Sequence, residues 1–75
     1  MPKRSVTIAG HRTSISLEAE FWEGLRELAA SSGQSIAAVV AVIDGQRRQR
    51  ESLSSAIRVF VLAAHRRAGA KPKRQ

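Results

Sequence analysis

One short segment of this sequence alternates polar and apolar residues and cannot fold alone. The stretch H-R-T-S-I-S-L at positions 11–17 places Thr13, Ile15 and Leu17 on one side and polar side chains on the other, which predicts a half-buried β-strand. A single strand leaves the N–H and C=O groups along both of its edges without hydrogen-bond partners. This strand therefore needs a second strand, from the same chain or from another.

Two sources for the second strand are open. Val6 and Ile8 also alternate, but on even positions, so the apolar parity switches before the strand begins. A bulge, a bend or a hairpin turn at Gly10-His11 would each produce this switch, and the turn would pair residues 5–9 with residues 12–16 inside one chain. The simpler source is the same strand of a second copy, antiparallel about a two-fold axis.

The second source leads to the fold that we predict. It is mainly α with one β-strand per chain, in an intertwined homodimer held by an intermolecular two-stranded antiparallel ribbon. Residues 1–10 are then a basic N-terminal arm or an extra short strand, and residues 11–67 form the folded domain. Residues 68–75 are basic and contain glycine and proline, which predicts a disordered tail.

Three amphipathic helices are predicted after the strand. Gly33 suits the left-handed position that ends a helix, and Ser35 offers a capping oxygen to the next one. Trp22 lies at the edge of the first apolar stripe and is predicted to be a core or dimer-edge residue. The expected helices span about 18–32, Ser35 to near Gly45, and Ser52 or Ser54 to about Arg67.

The charge of the chain is large and unevenly placed. The 75 residues carry a net charge of +7, which divides into +3 over residues 1–17, −3 over 18–33, +1 over 34–51 and +6 over 52–75. A basic chain whose first helix is acidic is typical of a protein that binds a polyanion on one side only. The small size also favours association between copies, because a chain this short holds only one small core.

The sequence lacks the residues that several other functions require. Without cysteine there is no disulfide framework, thiolate zinc site or cysteine nucleophile. His11 and His65 have no acidic companions at ligand spacing, and no catalytic Ser/His/Asp set, glycine-rich phosphate loop or carboxylate pair is evident. The longest apolar stretch is too short to span a membrane. We therefore expect no enzyme activity, no metal, no cofactor and no membrane partner, and a cytoplasmic location.

Three features follow one another between Arg12 and about Asp44: the alternating R-T-S-I-S-L strand, the amphipathic helix, and the S-G-Q-S-I junction at Ser32–Ile36. In this order they resemble the ribbon-helix-helix family of DNA-binding proteins, the Arc-type repressors. The longer stretch K-R-S-V-T-I-A-G-H-R-T-S-I-S-L, with the later L-S-S-A-I-R-V-F-V-L helix, is similar to a small bacterial subgroup that adds a third helix. The resemblance implies a dimeric β-ribbon that enters the DNA major groove.

The resemblance also implies which residues contact DNA. Outward side chains of the strand would meet base edges; these are Arg12, Ser14 and Ser16, and Arg12 can donate two hydrogen bonds to guanine O6 and N7. His11 or Thr13 would take this place if the register differed by one residue. The start of the second helix and the arm before the strand would approach the DNA backbone. The expected phosphate contacts are Lys3, Arg4, Gln34, Ser35 and Ile36.

The predicted function is sequence-specific binding of double-stranded DNA by a homodimer, as a bacterial transcriptional repressor associated with the nucleoid. Association of dimers on DNA is left open. One alternative is an antitoxin, which would bind a toxin as well as DNA. Another is a basic adaptor on a membrane surface or an acidic protein, which the third helix disfavours because Val59 and Leu62 lie outside its apolar stripe and it has no separate cationic face.

Overall fold

A β-hairpin followed by three helices makes up the fold. The computed structural model describes residues 1–70. Its elements are β1 (Lys3–Ile8), β2 (His11–Ser16), α1 (Ala19–Ser31), α2 (Ile36–Gln46) and α3 (Leu53–Ala70). The three predicted helices are confirmed, and the segment for which an arm or an extra strand was open contains β1.

The prediction of one strand per chain is wrong, because the chain contains two. β1 and β2 pair antiparallel along their whole length, in the internal hairpin that the sequence left open. The register joins each even position of β1 to an odd position of β2, so Val6 and Ile8 come to the same buried face as Ile15. The parity switch in the sequence therefore reflects a hairpin whose two strands share one apolar face.

A two-residue turn joins the strands. Ala9 and Gly10 both have positive φ, at 51° and 82°, which is the backbone conformation of a type I′ turn that matches the twist of paired strands. Glycine adopts this conformation without strain, whereas alanine is an uncommon residue there. The first residue of the turn, Ala9, therefore has a strained backbone conformation.

Capping residues set the helix ends near the predicted positions. The Ala38 N–H donates to Ser35 Oγ at 3.0 Å, which caps α2. Gly33 takes φ 70° just after α1, the left-handed conformation expected there. The Ser55 N–H donates to Ser52 Oγ at 3.1 Å at the start of α3. The tight junction between α1 and α2 is therefore built as the sequence indicates.

The third helix is longer than the sequence predicts. It ends at Ala70 rather than near Arg67, because the stretch A-G-A removes no backbone donor and a single glycine costs a helix only about 1 kcal/mol. The first residues of the predicted disordered tail are therefore helical. The rest of that predicted tail, 71–75, lies outside the described residues.

The core lies between the inner face of the hairpin and the three helices. Its largest fully buried side chains are Ile15, Leu17, Leu25, Val40 and Ile57. Trp22 is only 4% exposed and donates from Nε1 to the Pro2 carbonyl at 3.3 Å, so its predicted place in the core is confirmed. Because the hairpin is fastened through its inner face, its other face remains at the surface.

Polar contacts hold the beginning of α3 beside β2 and α1. Ser54 Oγ donates to the Ser16 carbonyl at 3.1 Å, and Arg58 Nε donates to Glu18 Oε1 at 2.8 Å. This hydrogen bond from Arg58 lowers the pKa of the Glu18 carboxyl below its ordinary value. The carboxyl end of β2 is thus covered by α3.

Candidate nucleic-acid interface

The outer surface of the hairpin presents six polar or basic side chains in two rows. Five are exposed and Ser16 is half-buried. We call this surface the hairpin face; its residues are Lys3, Ser5, Thr7, Arg12, Ser14 and Ser16. It brings together the three base contacts predicted from the sequence and one of the predicted phosphate contacts.

The hydrogen-bond ladder explains why these residues share a face. The Leu17 N–H donates to the Pro2 carbonyl at 3.1 Å, so Pro2 and Leu17 form a hydrogen-bonded pair. Hydrogen-bonded pairs alternate along an antiparallel ladder, so every second pair from there to the turn is also hydrogen-bonded. The pairs between them, such as Ser5↔Ser14, have their side chains on the opposite face and their backbone groups directed away from the partner strand. His11 and Thr13 belong to the inward set, so the alternative register for base contact does not hold.

The hairpin face is positive and free of acidic groups. Lys3 is paired with Ser16 and Arg12 with Thr7, which places the two cations near opposite ends of the face. Neither strand contains an aspartate or a glutamate. A two-stranded ribbon of this kind fits the major groove, and its arginine and hydroxyl groups can hydrogen-bond base edges.

The start of α2 supplies backbone donors beside the hairpin. Ala38 N–H is used by the Ser35 cap, and the Val39 N–H donates to the Ser35 carbonyl at 3.1 Å. Neither of these bonds uses the amides of Ile36 and Ala37, which also belong to the first turn. Amides in this position, at the positive end of the helix dipole, are a general binding site for phosphate groups.

Arg4 lies apart from Lys3, although both were predicted to contact phosphates. Its side chain belongs to the inward set, and its guanidinium sits 5.2 Å from the centre of the Trp22 ring, within the range of a cation–π interaction. Arg4 also lines an open hollow of about 400 Å³ between β1 and α2, together with Ile36 and Ala37. The structure thus brings Arg4 to the start of α2 and leaves Lys3 on the hairpin face.

Three residues of this region are missed by reasoning from the sequence. Ser5 and Thr7 join the hairpin face because β1 pairs with β2; the parity switch was the signal that could have found them. Arg67 lines a second hollow with Gln34, beside the junction that leads into α2. Only the packing of α3 shows that Arg67 lies near Gln34, because 33 positions separate the two residues in the sequence.

The exposed acidic side chains of α1 lie away from the hairpin. No Cα of α1 is within 8 Å of a Cα of either strand. Glu20, Glu23 and Glu27 are exposed and line a groove that α1 forms with α3. Arg47, in the loop that follows α2, pairs with Asp44 at 2.7 Å and donates to a carbonyl of the same loop. The acidic residues of α1 and the basic residues of the hairpin face therefore lie on different surfaces, as the uneven charge of the sequence predicts.

Among residues 1–70, no three His, Asp or Glu side chains gather as a metal ion would require. Within the same range, no one helix has both the length and the apolar content that crossing a membrane takes. α1 and α2 satisfy that test only as a pair, and the chain bends by 103° between them.

Comparison with known proteins identifies the family. No curated protein and no solved structure matches the chain. A family profile described as a ribbon-helix-helix domain matches residues 1–65, which include both strands, α1, α2 and most of α3. Domains of this kind are DNA-binding regulatory domains that generally act as dimers. With nearly its whole length matched, the chain belongs to the ribbon-helix-helix domain family.

Proposed function

We propose that the protein binds double-stranded DNA in a sequence-specific manner through the hairpin face, as a homodimer that represses transcription in a bacterium. The observation that carries this proposal is the pairing of Arg12, Ser14 and Ser16 with Thr7, Ser5 and Lys3 on one acid-free face. Such a face combines hydrogen-bonding groups for bases with positive charge for the DNA backbone.

In the proposed complex, Arg12 is the main reader of sequence. It is the one arginine on the hairpin face, and bidentate bonding to guanine O6 and N7 is the commonest specific contact of this side chain. Ser14 and Ser16 both donate and accept hydrogen bonds, so they discriminate less between bases. Ser16 is half-buried beside α3, which makes Ser14 the better placed of the two serines.

Phosphate contacts would set the position of the hairpin in the groove. The amides of Ile36 and Ala37 can bind a phosphate at the start of α2, with Gln34 and Ser35 beside them. Lys3 adds a flexible cation at the edge of the face. The remaining predicted contact, Arg4, stays exposed while stacked on Trp22 and can reach a backbone that passes α2.

A repressor of this type acts by occupying its operator and needs neither an active site nor a cofactor. We propose a location in the cytoplasm, in association with the nucleoid, because its ligand is there. Two copies related by a two-fold axis would read two half-sites of a palindrome.

Selection of bound duplexes from a random DNA library tests this function on the unmodified protein. We expect enrichment of a short palindromic consensus with guanine at symmetric positions that Arg12 can reach. Enrichment that depends on salt but shows no consensus would instead identify a sequence-independent binder, and no retention of DNA at low salt would overturn the proposal.

A further inference from the structure

A hollow of about 230 Å³ lies where the ends of α1 and α3 meet the start of α2. We call it the junction hollow. Its apolar lining residues are buried or half-buried, and its polar lining residues are exposed. The apolar ones are Leu28, Val39, Phe60 and Ala64, and the polar ones are Ser31, Ser32, Gln34 and Arg67. Among these described residues none is acidic, so the hollow carries a single charge, which is positive.

Arg67 supplies this charge and has no acidic partner in the described chain. Within residues 1–70, the arginines that form ion pairs are Arg26, Arg47 and Arg58. Arg67 lies in the last turn of α3, where the helix dipole favours a cation on any side of the helix. The groove with the glutamates of α1 runs along another side of α3, next to His65. The dipole therefore does not explain why the cation lines the junction hollow instead.

The junction before α2 holds Gln34 in place beside Arg67. The Gln34 N–H donates to the Ala29 carbonyl at 2.9 Å, and Gly33 turns the chain with φ 70°. The next residue, Ser35, caps α2. The Gln34 side chain is exposed and carries two N–H donors. The hollow therefore combines a guanidinium with a carboxamide, and a phosphate group accepts hydrogen bonds from both.

We propose that Arg67 binds a phosphate group of the DNA backbone at the junction hollow, with the side chain of Gln34 as the second donor. α3 then takes a direct part in DNA binding, through side chains and not through the amides of α2. This inference deepens the proposed DNA-binding function and rests on it. The start of α2 lies between Arg4, at the hollow beside β1, and Arg67. A DNA strand that passes the start of α2 therefore meets a cation on either side of it.

A phosphate contact by Arg67 differs in its signature from a base contact by Arg12. Phosphates are the same in every sequence, so Arg67 strengthens binding to all duplexes by a similar factor. Each phosphate contact also releases about one counterion, which adds to the salt dependence of binding. A dimer carries two copies of Arg67, one for each half-site.

Two neighbouring arginines provide a matched pair of variants. Arg66 is exposed, as Arg67 is, but it does not line the junction hollow. Arg67→Gln and Arg66→Gln therefore remove the same charge from adjacent positions of α3. Arg67→Lys retains the charge, and a lysine also binds phosphate as a point charge. Circular dichroism and thermal denaturation verify that each variant is folded.

Fluorescence anisotropy over a series of salt concentrations measures the Kd of each variant for the selected duplex and for a random one. We expect Arg67→Gln to weaken binding to both duplexes by about tenfold. It should also reduce the slope of log K against log salt by about 2 per dimer, because each copy releases about one counterion fewer. Arg66→Gln should leave the slope unchanged, and Arg67→Lys should restore it.

Equal changes of slope for the two glutamine variants would overturn the proposal, because they would show an effect of net charge alone. An unchanged slope for Arg67→Gln would overturn it too. So would a change in the ratio of the two Kd values, because that would place Arg67 at a base.

Neutral phosphates locate the contact on the DNA. Single phosphates of the selected duplex are replaced in turn by methylphosphonates. We expect one position in each half-site at which the replacement weakens binding by the unmodified protein but not by Arg67→Gln, because both changes remove the same contact. Losses that add at every position would overturn the proposal.

The outcome for the unmodified protein separates this inference from the proposed function. If the unmodified protein binds the selected duplex and the Arg66 and Arg67 variants behave alike, only the role of Arg67 is wrong. If the unmodified protein binds no duplex at low salt, the DNA-binding proposal is wrong and the role of Arg67 is wrong with it.

Discussion

At the scale of single residues, Gly24 shows how closely α1 and α3 approach. A Cβ built on Gly24 would lie 2.8 Å from Cγ1 of Val61, and valine has little rotamer freedom with which to move aside. In sequence, a glycine in the middle of a helix indicates only a lower helix propensity. Its use as a spacer between two helices is visible only once α3 is in place.

Gly24→Ala should therefore destabilise the fold even though alanine is the better helix former. The propensity gain is about 1 kcal/mol, and overpacking of this kind costs about 1–3 kcal/mol, so we expect a net loss of about 1 kcal/mol in the free energy of unfolding. Gly45→Ala in α2 is the matched control, because nothing lies within 4 Å of its added Cβ, and it should be neutral or stabilising. Urea denaturation at fixed protein concentration measures both. A more stable Gly24→Ala variant would contradict the close approach.

At the scale of elements, the helices follow from local signals and the hairpin does not. Ser35 and Gly33 mark helix ends because capping depends on neighbours within a few residues, which any sequence displays. Strand pairing joins residues that are distant in sequence. The parity switch before β2 was compatible with a bulge, a bend or a turn, and the turn is selected by the pairing of β1 with β2 and by the positive φ of Ala9 and Gly10.

The strained turn residue leads to a prediction about the hairpin. Ala9→Asn should raise the free energy of unfolding by about 1 kcal/mol, because Asn-Gly is the preferred pair of a type I′ turn and asparagine tolerates positive φ. Gly10→Ala is the converse change and should lower it by about 1–2 kcal/mol, since alanine would have to hold φ near 82°. Thermal denaturation of both variants checks the turn. A stabilising Gly10→Ala would show that the strands are not joined in this way.

At the scale of the whole molecule, the fold separates its charges. Alternation puts Arg12 and Ser14 on the outer side of β2 and capping puts Ser35 at the start of α2, while the resemblance to the ribbon-helix-helix family implies that these residues contact DNA. The contribution of β1 to the same face, and of Arg67 beside Gln34, depends on contacts between distant parts of the chain. The acidic charge of the first helix was predicted, but the separation of that helix's acidic residues from the hairpin is a property of the assembled molecule.

Two arginine variants show whether the hairpin face reads DNA sequence. Arg12→Ala and Arg26→Ala each remove one positive charge; Arg12 lies on the hairpin face, whereas Arg26 lies on α1 and pairs with Glu23. Fluorescence anisotropy gives the ratio of Kd for a random duplex to Kd for the selected site. We expect Arg12→Ala to reduce the free energy of discrimination by about 1–3 kcal/mol and Arg26→Ala to leave the ratio unchanged. An unchanged ratio for Arg12→Ala, or an equal loss for both variants, would contradict the reading of bases by the hairpin face.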